Sequence, residues 1–180
     1  MNDPSTDDVD LPNIELFELL VTEFLEGGIE TTLIPEMNET PAQLVFPIEA
    51  DHLDAERHLR IHTFFVPDVG QPPVLQYFVS LPYTISPSSR DQLARFVCML
   101  NTNLPLGGFE YSERNEVVAF RHTHAISVRP LDPGVIAWAW SMIRTAVIEF
   151  GPLVERVAGG LPVEDADAEM DAQLDAYVDD

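Results

Sequence analysis

Hydrophobic residues recur at helical spacing near the start of the chain. Ile14, Phe17, Val21, Phe24 and Leu25 form one stripe, Glu15, Glu18, Glu23 and Glu26 fall mainly off it, and Gly27-Gly28 closes the run. Such a stripe predicts an amphipathic helix, with acids in its first turn suiting the helix dipole. From Glu30 to Leu81 the period shortens to the runs TTLI, QLVFPI, LRIHTFFV and VLQYFVSL, which predict three or four successive antiparallel strands. Pro35, Pro47, Pro67 and Pro82 lack an N–H for the ladder and belong at strand ends, bulges or edges.

Helical spacing returns after Ser88 and Ser89, either of which can cap a second helix with the stripe Leu93, Phe96, Val97, Leu100 and Leu104; Pro105-Leu106-Gly107-Gly108 stops it. A hairpin follows, Phe109–Ser112 and Glu116–Val128, turning at Glu113-Arg114-Asn115. Asp132 and Pro133 announce a third helix that runs at least to Phe150, where Gly151-Pro152 should kink or interrupt it. Strands in blocks separated by single helices indicate an α+β fold, an antiparallel sheet of about five strands with three helices in the order α-β-β-β-α-β-β-α.

The third helix is apolar around most of its circumference, leaving Ser141, Arg144, Thr145 and Glu149 as a narrow polar strip. A helix lying on one sheet needs an apolar face of only about 100°, so much of this one would stay wet in an isolated monomer. A second protein surface, or another helix of the same chain, would cover it. Trp138, Trp140, Met142, Ile143 and Val147 are the candidate partner-binding residues.

Charge narrows the choice of partner. The 31 acids outnumber nine basic residues, all arginine, for a formal net charge of −22. Such a field repels phosphate backbones and offers no basic stripe, which argues against nucleic acid and anionic membranes and favours another protein or peptide segment. Four acids and no base lie in residues 1–10, and eight acids and no base in residues 159–180. Both segments read as acidic tails, largely disordered, around a domain over residues 11–158. The second could carry a short helix with Met170, Leu174, Tyr177 and Val178 on one face. Cys98 is the single cysteine, so no intramolecular disulfide forms, and the polar acidic start is unlike a signal peptide. A cytoplasmic location is the expectation.

The stretch Leu93–Ile126 joins a helix ending in Asn101-x-Asn103, then Gly107-Gly108-Phe109, then a hairpin strand carrying Val117-Val118-Ala119-Phe120-Arg121, before a long closing helix. In these features and in its element order, the chain from about Leu11 to Ala158 resembles the YbjN family of bacterial proteins, which are similar in fold to type III secretion chaperones. The resemblance implies a compact secretion-chaperone-like sandwich, frequently dimeric, that binds other proteins in a chaperone-like or regulatory role and has no active site to transfer.

Candidate catalytic chemistry is sparse. His122 and His124 share one face of a strand, as do His58 and His62 on another, so that adjacent pairs could surround a metal ion. No carboxylate or thiol falls at ligand spacing beside them, and the expectation is no metal and no cofactor. Cys98 lies beside the second helix's stripe and reads as an inert packed thiol. The leading reading is therefore a non-catalytic protein-binding homodimer. Its rival is a metal-dependent or small-ligand enzyme using His58, His62, His122 and His124.

Overall fold

The computed structural model describes residues 13–48, 57–67, 69, 72–126 and 131–178. Helix α1 (Asn13–Glu26) leads into strands β1 (Thr32–Ile34), β2 (Gln43–Ile48), β3 (Leu59–Phe65) and β4 (Val74–Leu81). Helix α2 (Arg90–Asn101), strands β5 (Gly108–Ser112) and β6 (Val117–Ala125), and helices α3 (Pro133–Gly159) and α4 (Val163–Val178) complete the described chain. The six strands form one antiparallel sheet in the order β1-β2-β3-β4-β6-β5. The α+β class holds, with one more strand and one more helix than expected.

Strand parity separates the two faces of this sheet. Leu59, Ile61, Thr63 and Phe65 of β3 and Leu75, Tyr77, Val79 and Leu81 of β4 are buried, while the alternate positions are half-buried or exposed. The helices lie on the buried side: Phe17 stacks on Phe65 at 5.4 Å, Phe24 meets Phe46 edge-on at 5.5 Å, and Trp140 of α3 lies 5.4 Å from Phe46. Among the described residues no helix covers the other face, where Val45, His62, Phe78 and Arg121 stand in register across four strands. Pro47 sits in β2 past the last residue that β1 pairs, where β2 is itself an edge.

The stripe of α1 is rotated from the expected one, with Leu16, Phe17, Leu20 and Phe24 buried and Leu25 54 % exposed. Ser89 occupies the N-cap position of α2 after a 3-10 turn, Pro87–Ser89, but its side chain makes no capping bond. Asp132 does cap α3, accepting a hydrogen bond from the Gly134 amide at 2.8 Å, with Pro133 in the first turn. No break occurs at Gly151-Pro152, since α3 continues to Gly159 and stops at Gly160, whose φ of 118° suits a residue without a Cβ.

The doublet Gly107-Gly108, expected only to stop a helix, has a further role in docking. The Asn101 side chain donates to the Phe109 carbonyl and accepts from the Phe109 amide, both at 2.9 Å. That amide side chain takes the place of a neighbouring strand along the outer edge of β5, satisfying groups an edge leaves open. A Cβ at Gly108 would lie 2.7 Å from Asn101 Oδ1, so the approach requires glycine.

Within the acidic C-terminal stretch, where the sequence could carry a short helix, Val163–Val178 form α4. Val163, Ala166 and Met170 of α4 are buried in the core cluster, and Leu174 packs partly against it. The side chains of Tyr177 and Val178 lie outside the described residues, as does the whole of the 1–10 segment.

Candidate functional site

The expected partner-binding residues divide between core and surface. Ile143 is 0 % and Val147 2 % exposed, so both belong to the interior and offer nothing to a partner. Both belong to the core cluster, and α1, α2 and α4 pack on parts of the helix. Trp140 is half-buried against Phe46, its Nε1 buried without a protein partner, and Met142 is half-buried as well. Only Trp138 stands clear, at 56 % exposure. Val135, one turn before it, is 49 % exposed, and the i, i+3 spacing places the two side by side. The mostly apolar circumference read from the sequence therefore shrinks to an exposed patch at the N-terminal end of α3.

The histidines do not converge. His62 lies on the open face of the sheet, where its Nδ1 is 2.8 Å from Gln43 Oε1. His122 and His124 lie on the helix-covered face, because His122 is in register with buried Tyr77 and His124 with buried Leu75. Their rings and that of Tyr77 form a cluster with centroids 5.7 Å apart. Burial holds both imidazoles below the usual histidine range, with the neighbouring His124 adding to the effect on His122. Burial also depresses His62, with Arg60 contributing, and pushes the Tyr77 phenol up. These groups are neutral near pH 7 and pack as half-apolar residues. No three His, Cys, Asp or Glu side chains among the described residues are grouped to hold a metal ion. His58 precedes β3 and is exposed.

Two other features bear on chemistry. Cys98, expected to be packed, is exposed on α2. A cavity of about 500 Å³ opens between the start of α2 and the β5–β6 turn, lined by Pro87, Ser88, Arg90, Asp91, Glu113 and Arg114. Its charges balance, and it holds no pairing of a nucleophile with a base. None of the described helices is long and apolar enough to cross a membrane.

The exposed patch had a partial signal in the sequence. Val135 belongs to the same apolar run as the tryptophans, but its exposure follows only from how α3 is rotated over the sheet. Exposed Leu19 and Leu25 of α1 were masked by the stripe assumed for that helix.

No protein-family model matches the chain, and no curated protein matches it. Among solved structures it is similar to the crystal structure of YbjN from E. coli, with 9% sequence identity and a TM-score of 0.49, over 78% of this chain and 92% of that one.

Proposed function

We propose that the chain is a non-catalytic protein-binding module, chaperone-like or regulatory in character, that works as a homodimer through the N-terminal half of α3. The observation that carries this reading is Trp138, an indole 56 % exposed on a helix whose opposite side is committed to the core. Tryptophan is the residue most enriched at interface hot spots, and a two-fold axis beside it would bury the Trp138 and Val135 of both copies together. The charge of −22 supports a protein partner over nucleic acid. The sheet face that no helix covers among the described residues, with half-buried Phe64 and Phe78 among its apolar positions, is the surface left for a segment of another protein.

The test is sedimentation analysis of the wild-type chain beside Trp138→Asp. The reading expects a dimer that the substitution splits while circular dichroism and thermal unfolding stay close to wild type. Trp140 is the wrong position for this experiment, because a charge there would face Phe46 and unfold the core. A wild-type monomer at every concentration overturns the proposal.

A further inference from the structure

Helix α4 follows directly on α3. It carries Glu164, Asp165, Asp167, Glu169, Asp171 and Asp175 and no base, yet it packs on α2 and α3 of an already acidic protein. Its buried residues Val163, Ala166 and Met170, with half-buried Leu174, are spaced by three, four and four, which draws one narrow seam along the helix. At 100° per residue, Glu164 and Glu169 fall on opposite flanks of that seam.

Each flank meets an arginine. Arg95 of α2 donates to Glu164 at 3.0 Å, and Arg156 of α3 donates to Glu169 through both terminal nitrogens, the longer bond being 2.9 Å. Gln92 Oε1 accepts from the Val163 amide at 3.3 Å and so holds the start of the helix. Arg156 in turn holds the Glu169 carboxyl below its usual range, and Glu164 is lowered first by its own backbone amide and then by Arg95. The furrow between α2 and α3 thus has an apolar floor and a cation on each wall.

The hold on α4 is nevertheless slight. All four side chains of the two ion pairs are at least 44 % exposed, so salt screens them and they add little. A helix of 16 residues is marginal without tertiary contacts, and among its described side chains this one buries three. It is joined to α3 by the short turn Gly160-Leu161-Pro162, whose Gly160 and Leu161 amides bond back to the end of α3. Elements with these properties open locally before the rest of a fold.

We infer that the α2–α3 furrow is a docking site for an acidic amphipathic helix, occupied in cis by α4 and open in trans to a partner helix with the same seam and flanking carboxylates. This goes beyond the dimer reading and uses a different surface. Trp138 and Arg156 are 18 positions apart on α3, about 27 Å along its axis.

A fluorescent peptide of residues 161–178 is the probe, titrated into the full chain and into the full-length Met170→Asp variant, in which the cis helix loses its seam. The furrow predicts binding at least about tenfold tighter to the variant, since in the wild type the tethered helix competes at high effective concentration. Adding Arg95→Glu and Arg156→Glu to the variant, which turns two attractions into repulsions, should weaken binding at low salt by about tenfold. Hydrogen exchange on the wild type supplies a second reading, with α4 amides exchanging at least about a hundredfold faster than those of Leu153–Ala158. Equal affinity for the wild type and Met170→Asp, an affinity at low salt unchanged by the charge reversals, or α4 amides as protected as those of α3 would each overturn the inference. None of these readouts depends on dimerisation.

Discussion

Replacing Asn101 with alanine removes a two-bond clamp without touching the exposed patch on α3. Both bonds to Phe109 are 2.9 Å, and Asn101 and Gly108 are half-buried, so water replaces them poorly. Two hydrogen bonds at about 1 kcal/mol each, with part of the desolvation penalty of the stranded Phe109 amide and carbonyl, give a loss of about 2 to 3 kcal/mol. Asn101→Asp sharpens the test. A carboxylate still accepts from the Phe109 amide but sets a second oxygen against the Phe109 carbonyl, so the aspartate should cost at least as much as the alanine. Urea unfolding reads both. With a slope of about 2 kcal/mol/M the midpoint should fall by roughly 1 M, at unchanged slope. A midpoint within about 0.2 M of wild type for either variant refutes the clamp, because that shift lies near the uncertainty of the measurement. The clamp also gives the Asn101 and Gly107-Gly108-Phe109 motif a role in holding the fold, so oligomeric state should be unaffected.

Gly151→Ala should destabilise, although alanine ordinarily favours a helix by about 1 kcal/mol. The new Cβ would sit 2.7 Å from the hydroxyl of buried Tyr83, so a net loss of about 1 to 2 kcal/mol is expected, and Tyr83→Phe in the same chain should recover part of it. Additive losses in that double variant would count against the contact. His122 and His124 bind protons less readily folded than unfolded, where their ordinary value is 6.5, so their contribution to stability is complete above that pH and is lost as the pH falls through it. The His122→Gln/His124→Gln variant should therefore lose less stability than wild type between about pH 7.5 and 5 by thermal unfolding, the carboxylate contributions cancelling in the comparison. Parallel curves for the two proteins would show that the histidines are not desolvated.

Much of the fold was legible because periodicity and capping agree locally. Asp132-Pro133, Gly27-Gly28 and the apolar alternation of LRIHTFF each report a boundary or a face from residues close in sequence. What failed depended on partners far along the chain. The run TTLI marked β1 as a strand, but its pairing with β2 and its place at the sheet edge follow only from the register. Helix α4 was read as a short helix that an acidic tail could carry, and its docking was obscured by its own charge, since six acids look solvated until Arg95 and Arg156 come into view. The two histidine pairs seemed able to meet because each has the right internal spacing. Their opposite faces follow only from the register of β4, which places Phe78 beside His62 and Tyr77 beside His122. The same limit applied to the candidate site, where the sequence identified α3 as over-apolar but could not say which residues the sheet would claim. Ile143 and Val147 went to the core, and Trp138 with Val135 remained.

The central claim is that this remaining patch joins two copies of the chain. Burying an exposed indole contributes about 2 kcal/mol or more at a well-packed interface, and a two-fold axis counts it twice, so Trp138→Asp should weaken dimerisation by about a thousandfold. Sedimentation equilibrium of the wild type and of this variant, from about 1 to 100 μM, is the direct measurement. The account predicts a wild-type mass twice the 20.1 kDa of the monomer and a folded, monomeric variant. A wild-type chain that stays at 20.1 kDa throughout, or a variant as dimeric as the wild type, would contradict it.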